Sequence, residues 1–189
     1  YAKEFGYVIK LLGVAKNTED GIEVKVHPML IPNNHPLANV NDAFNAVFVH
    51  GKAMDDAMFM GRGAGQMPTA SAVVGDIIDV CRNIVHDSCG KIGCSCYKEL
   101  PVKDISETKS KFFLRLEVAD KQGVLANIAS VLGNSGVSIA QVVQKSGKDG
   151  VAELVIITAE VLEKNFNDAM AVFKGLSAVK NIAGVIRVY

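Results

Sequence analysis

The sequence lacks an excess of charge of either sign. Lys and Arg total 20, Asp and Glu total 20, and the formal net charge at pH 7 is +0. This balance excludes the strong electrostatic field that draws a protein to nucleic acid or to an anionic membrane surface. We therefore expect no nucleic-acid partner, and ligands that are small molecules or other proteins.

Long apolar runs are also missing. Although 49% of the residues are hydrophobic, no stretch approaches the roughly 20 apolar residues that span a bilayer. No basic segment followed by an apolar segment opens the chain, as a secretory signal would. We expect a cytoplasmic protein with no membrane partner, whose 4 cysteines are reduced thiols.

The first residues are typical of the end of a helix. Tyr1-Ala-Lys-Glu-Phe-Gly6 closes with a glycine, which commonly stops a helix. Because the start of that helix is missing, we expect the chain to be the tail of a longer protein.

Two hairpins are predicted in the first part of the chain. Residues 7–16 and 22–26 flank an Asp-Gly turn, and residues 45–50 and 57–60 flank a polar link with a glycine. Together they predict one sheet of about four strands. Three prolines are expected to interrupt the ladder after the second strand: Pro28, Pro32 and Pro36.

A glycine-rich stretch, Gly61-Arg-Gly-Ala-Gly-Gln-Met-Pro-Thr69, follows the second hairpin. The apolar residues after it recur at helical spacing up to Cys81 and predict a buried helix. Glycines let backbone N–H groups approach an anion, and a helix N-terminus attracts negative charge. The stretch therefore indicates either a phosphate or nicotinamide site, or a tight turn that only starts the helix.

From Lys111 onward the pattern predicts a βαββαβ module of ferredoxin-like form. In that form both helices cover one face of the sheet and leave the other face open. Three apolar residues are expected on the open face and make dimerisation plausible: Val143, Val155 and Ile157.

Residues 89–110 lose all periodicity and are predicted to be a linker between domains. One His and three Cys near it are possible zinc ligands: His86, Cys89, Cys94 and Cys96. Their spacing is not that of a standard zinc knuckle, so we expect no metal there. A zinc-dependent structural protein is kept as a third interpretation.

The segment from Phe59 to Ile77 closely resembles the end of the catalytic part of homoserine dehydrogenases, and so does Gly6-Tyr-Val-Ile-Lys-Leu-Leu-Gly-Val-Ala15. The resemblance implies that residues 1–88 are the end of a substrate and dimerisation domain. It also implies that the dinucleotide fingerprint, the catalytic Lys and the homoserine-binding acids lie upstream of this chain. The residues implied to contact NAD(P) are Gly63, Ala64, Gly65 and Thr69, with Gly61 a weaker candidate.

The resemblance further implies a parent enzyme that reduces aspartate semialdehyde to homoserine with NAD(P)H, in threonine, methionine and isoleucine biosynthesis. We expect this chain alone to be inactive and to bind no cofactor, because its family's nucleotide domain is absent. The alternative is a free-standing amino-acid-binding regulator whose first part only promotes oligomerisation.

The segment Val118-Ala-Asp-Lys-Gln-Gly-Val-Leu-Ala-Asn-Ile128 resembles the ACT domain, a module that often binds amino acids between paired copies. The fold class implied is α/β (α+β): a partial mixed-sheet substrate domain, then a ferredoxin-like ACT domain at residues 111–189. L-Threonine is the expected effector of a homo-oligomer paired through its sheet and ACT domains. By position, the pocket residues are Asp120, Gln122, Gly123, Val124 and Leu125, faced by Ser138, Ile139 and Gln141. An ACT fold used only for assembly is the other interpretation.

Overall fold

A computed structural model describes residues 1–91, 93, 98–145, 147 and 149–189 of the chain. The chain divides into two units, one made of Tyr1–Pro32 with Leu100–Tyr189 and the other of Asn33–Glu99. Residues 1–32 therefore pack with the C-terminal module, although the sequence pattern groups them with residues 33–88. No helix within these described residues has the length and apolar character needed to cross a bilayer.

The C-terminal part has the predicted βαββαβ order. Its four main strands are hydrogen-bonded in the order β9-β5-β7-β6, and all three pairings are antiparallel. This is the ferredoxin-like arrangement, in which the first and last strands of the module lie side by side. The elements are β5 (Lys109–Ala119), α2 (Val124–Asn134), β6 (Ile139–Lys145), β7 (Val151–Thr158), the short β8 (Val161–Leu162), α3 (Glu163–Gly175) and β9 (Val179–Val188).

The main core lies between this sheet and the two helices. Alternate residues of β5 point into it, because successive side chains of a strand face opposite sides. Leu114 and Leu116 are fully buried there with Ile128 of α2 and Phe173 of α3. The ring of Phe166 stacks on that of Phe112 with a centroid distance of 3.6 Å. These contacts confirm the prediction that both helices of the module cover one face of its sheet.

The first hairpin extends the same sheet. It consists of β1 (Tyr7–Thr18) and β2 (Gly21–Pro32), and β2 pairs in parallel with β9 at Met29 and Leu30. The expected interruption at Pro28 is wrong, because β2 continues through it to Pro32. Pro28 lies just before β2 gains β9 as its second neighbour, where the N–H that proline lacks is not needed.

The second hairpin is separate. Strands β3 (Phe44–Gly51) and β4 (Asp55–Arg62) form their own two-stranded sheet, with Phe44 opposite Arg62. The prediction of one four-stranded sheet is therefore wrong. The alternation of apolar and polar residues identifies the strands of a hairpin, but it does not specify which hairpins pair within one sheet.

Helix α1 (Gln66–Val85) follows directly and confirms the predicted helical stripe. Its burial was predicted wrongly, since none of its residues is buried in this chain and Ile77 is 56% exposed. The described elements of the Asn33–Glu99 unit are the two-stranded sheet, a short 3₁₀ turn and α1 itself. This is too little to cover a helix of 20 residues.

The first residues cover the far face of the module's sheet. The Tyr7 N–H donates to Ala2 O at 2.8 Å and the Gly6 N–H donates to Lys3 O at 3.1 Å. These bonds resemble the pattern that stops a helix at a glycine, but residues 2–6 form a turn and not the predicted helix. Phe5 packs edge-on against Phe113. Val155 and Ile157, expected on an open face, are therefore buried under this turn, whereas Val143 is half-buried.

Candidate ligand-binding loops

The glycine-rich stretch connects β4 to α1 in the Asn33–Glu99 unit. Gly63 donates its N–H to Ala43 O at 3.0 Å, which ties the loop to the residues before β3. A Cβ on Gly63 would meet the side-chain amide of Asn45 at 1.5 Å. This contact of Asn45 was not predicted from the sequence. The pairing of Asn45 with Gly61 in the hairpin is what brings its side chain near the loop. Gly61 itself has open space around it.

The start of α1 exposes backbone donors. Gly65 is the N-cap with φ 128°, a conformation that other residues rarely adopt, and it offers no side chain to cap the helix. Thr69 N–H donates to Gly65 O at 3.0 Å. Pro68 has no N–H, so the uncapped donors of the first turn belong to Gln66 and Met67.

An open hollow of about 650 Å³ lies beside this helix start. It is lined by Gly65, Gln66, Thr69, Ala70, Val73 and Val74. The structure thus brings Gly65 and Thr69 together at one hollow, with amide donors at its end and apolar side chains along the helix. That combination suits a ligand with one anionic part and one flat apolar part.

A second glycine-started helix lies in the C-terminal module. Gly123 is the N-cap of α2, with a left-handed φ of 83° and no side-chain cap. Asp120 and Gln122 are exposed in the loop before it, and the Asp120 N–H donates to Gly150 O at 2.9 Å. Leu125 is exposed, whereas Val124 is buried in the core, so Val124 can offer a ligand only its backbone.

The second group of predicted pocket residues lies elsewhere in the same chain. Ile139 of β6 pairs with Thr158 at one end of β7, whereas Ala119, just before Asp120, pairs with Val151 at the other end. Seven residues of strand separate the two places, a distance of about 23 Å. A site that uses both groups therefore requires two chains.

The comparisons with known proteins match the chain in two consecutive segments. The chain matches the homoserine dehydrogenase family over residues 1–78 and the ACT domain over residues 108–187. It is 38% identical to the homoserine dehydrogenase of Pseudomonas aeruginosa, over 100% of this chain and 45% of that protein. The crystal structure of a homoserine dehydrogenase from Thiobacillus denitrificans is 39% identical and has a TM-score of 0.91, over 100% of this chain and 44% of that one.

The chain corresponds in sequence to the C-terminal portion of homoserine dehydrogenases. A relative from Corynebacterium glutamicum is 40% identical over 98% of this chain and 42% of its own length. This chain thus spans less than half the length of the homoserine dehydrogenases it matches, as expected for a C-terminal portion. The family match contains the whole 61–69 loop, and the ACT match contains every predicted effector residue.

The cysteine cluster lies between the two matched segments of the chain. His86 ends α1, and Cys89 is an exposed free thiol. Cys94 and Cys96 lie outside the described residues. Among residues 1–91, 93, 98–145, 147 and 149–189, no group of three or more His, Cys, Asp or Glu could hold a metal ion.

Proposed function

We propose that the chain is part of an enzyme that reduces aspartate semialdehyde to homoserine with NAD(P)H. The observation that carries the proposal is the similarity to homoserine dehydrogenases along the entire chain. The bound nucleotide supplies the hydride in such a reaction. The parent enzyme would act in the cytoplasm, in the biosynthesis of threonine, methionine and isoleucine.

The residues at the start of α1 fit a nicotinamide cofactor. Gly65 leaves the amides of Gln66 and Met67 uncapped, and these donors suit an anionic group or a carboxamide oxygen. Gly63, Ala64 and Gly65 would line the approach, and Thr69 would add a hydroxyl at the hollow. In this role the loop binds and orients the cofactor, and the chemistry rests with residues that the family carries elsewhere.

The loop is tested by paired glycine variants in the full-length enzyme. Gly65→Ala places a side chain at φ 128° against Pro68, so the KM for NADPH should rise at least about tenfold. Gly13→Ala, in β1 and outside the loop, adds a methyl group at an ordinary 3.8 Å from Val26 and should leave the KM within about twofold. Equal KM values for the two variants would count against a cofactor role for the loop.

We propose further that L-threonine binds at the start of α2 and regulates the enzyme. The amides after Gly123 suit an amino-acid carboxylate, and Asp120 suits its ammonium group. Ser138, Ile139 and Gln141 would come from a second copy, because about 23 Å of strand separates them from Asp120 in one chain. The proposed enzyme is therefore at least a homodimer.

Calorimetry of the 189-residue chain with L-threonine tests this site. We expect binding at millimolar threonine or below, and sedimentation should show a dimer that threonine strengthens. Asp120→Ala should weaken binding about tenfold or more, since one charged hydrogen bond is lost. Lys121→Ala, at the exposed neighbouring position, is the control. Binding of another amino acid with no heat from threonine would reject threonine as the effector.

A further inference from the structure

Charged side chains are buried where the first hairpin meets the C-terminal module. Lys25 of β2 donates from Nζ to Lys109 O at 3.0 Å and to Ser110 Oγ at 2.9 Å. Ser110 Oγ donates to Glu163 Oε1 at 3.0 Å. Arg187 of β9 donates to both Glu163 oxygens, at 2.6 Å and 2.7 Å. These four residues, which we call the seam cluster, join β2, β5, α3 and β9.

Three residues of the seam cluster, Lys25, Ser110 and Glu163, are buried, and the side chain of Arg187 is 21% exposed. Lys25 is 5% exposed and Glu163 is 1% exposed. Burial lowers the pKa of the Lys25 ammonium, and the neighbouring Glu23 carboxylate opposes that shift. Buried charges are tolerated when they are paired and hydrogen-bonded, and loss of one partner leaves the others uncompensated. Glu163 is the central residue of the cluster, because removing its charge would leave the cations of Lys25 and Arg187 without the carboxylate that compensates them.

The backbone connection at this junction is short. β2 pairs with β9 through two residue pairs, whereas β1 pairs with β2 through twelve. One further bond crosses the junction, from the Tyr189 N–H to Leu30 O at 2.9 Å. Two residue pairs would fray easily without side-chain support. Glu163 is also the first residue of α3, so the seam cluster ties the beginning of that helix to β2 through the hydroxyl of Ser110.

We propose that the seam cluster makes the hairpin and the ACT module move as one body, so that a displacement of α3 is transmitted to β2 and not absorbed by a hinge. The first hairpin belongs to the segment that matches homoserine dehydrogenase, and α3 belongs to the ACT match. The cluster thereby links the ACT module to the segment that matches homoserine dehydrogenase. Its role in regulation rests on the proposed threonine site, whereas the mechanical link does not.

Native-state hydrogen exchange of the 189-residue chain tests the link without any ligand. In Glu163→Gln the Tyr189 amide should exchange about 10- to 100-fold faster, because charged hydrogen bonds at the junction are lost. The Leu154 amide, inside the module's own sheet, should change less than about twofold. Glu160→Gln removes an exposed carboxylate three residues earlier and should change neither amide. Equal acceleration at Tyr189 and Leu154, or none at either, would overturn the proposal.

Two further variants extend the test, and the first of them keeps it decisive if Glu163→Gln folds poorly. Ser110→Ala removes only the bridging hydroxyl and should speed Tyr189 exchange by about tenfold. Lys25→Met combined with Glu163→Gln should exchange more slowly at Tyr189 than Glu163→Gln alone, because one of the uncompensated cations is gone. Strictly additive effects of the two substitutions would show that Lys25 and Glu163 do not act together.

The role of the seam cluster in regulation is tested by adding threonine. In the wild-type chain threonine should slow exchange in β2 at least about threefold, and in Glu163→Gln it should bind with unchanged affinity while leaving β2 exchange unaffected. Slowing of β2 in both proteins would overturn transmission through the cluster. If wild-type chain binds no threonine, the proposed effector fails, and the Tyr189 result still decides the mechanical link.

Discussion

The two units of the chain contain similar elements but differ in what covers them. The C-terminal module packs two helices on one face of its sheet and the turn of residues 1–6 on the other. The Asn33–Glu99 unit has a longer helix and a hairpin, yet no residue of α1 is buried. An apolar stripe therefore shows that a helix has a face to cover, and it does not show that the same chain covers it. The module should carry most of the stability of the isolated chain.

The largest change in stability that tests this comparison is expected from a core substitution in the module. Phe166→Ala removes a ring stacked on Phe112 and should lower the free energy of unfolding by about 3–5 kcal/mol. Ile77→Ala, at an exposed position of α1, should change it by less than about 0.5 kcal/mol in this chain. Urea unfolding followed by circular dichroism measures both values. A cost for Ile77→Ala close to that of Phe166→Ala would contradict the contrast between the units.

A smaller effect concerns the turn that covers the module's far face. The hydrogen bond from the Tyr1 hydroxyl, and then that from Arg115, lower the pKa of the Glu153 carboxyl below its ordinary value of 4.5. A carboxyl group whose pKa is lower in the folded than in the unfolded chain stabilises the fold at pH values above its unfolded pKa. This stabilisation is lost as the pH falls through the folded pKa.

Glu153→Gln should therefore show a shallower loss of stability below pH 4.5 than the wild-type chain. Thermal unfolding at a series of pH values measures it. Glu160→Gln makes the same change of charge at an exposed position and serves as the control. Parallel pH profiles for wild type and Glu153→Gln would show that the turn does not interact with Glu153 in solution.

Local patterns were enough to predict much of this fold. The period of two in β5 and the helical spacing in α2 and α3 gave the βαββαβ order, and Gly65 and Gly123 marked helix starts. Both candidate loops were located in this way, since each needs a glycine with positive φ at a helix boundary.

Long-range pairing could not be predicted in the same way. Met29 and Arg187 are far apart in sequence, and nothing local in β2 specifies β9 as its neighbour. The same limit hid the burial of Lys25 and of Val155, because each depends on a segment distant in the chain. The contact between Asn45 and Gly63 was missed because it depends on how the loop folds back on the hairpin.

The most direct test of the proposed function compares two proteins in one assay. NADPH oxidation with aspartate semialdehyde should be measured for the full-length enzyme and for the 189-residue chain at equal concentration. The proposal predicts turnover by the full-length enzyme and none by the chain alone. Turnover by the chain, or a full-length protein that folds and binds NADPH but does not reduce aspartate semialdehyde, would contradict it.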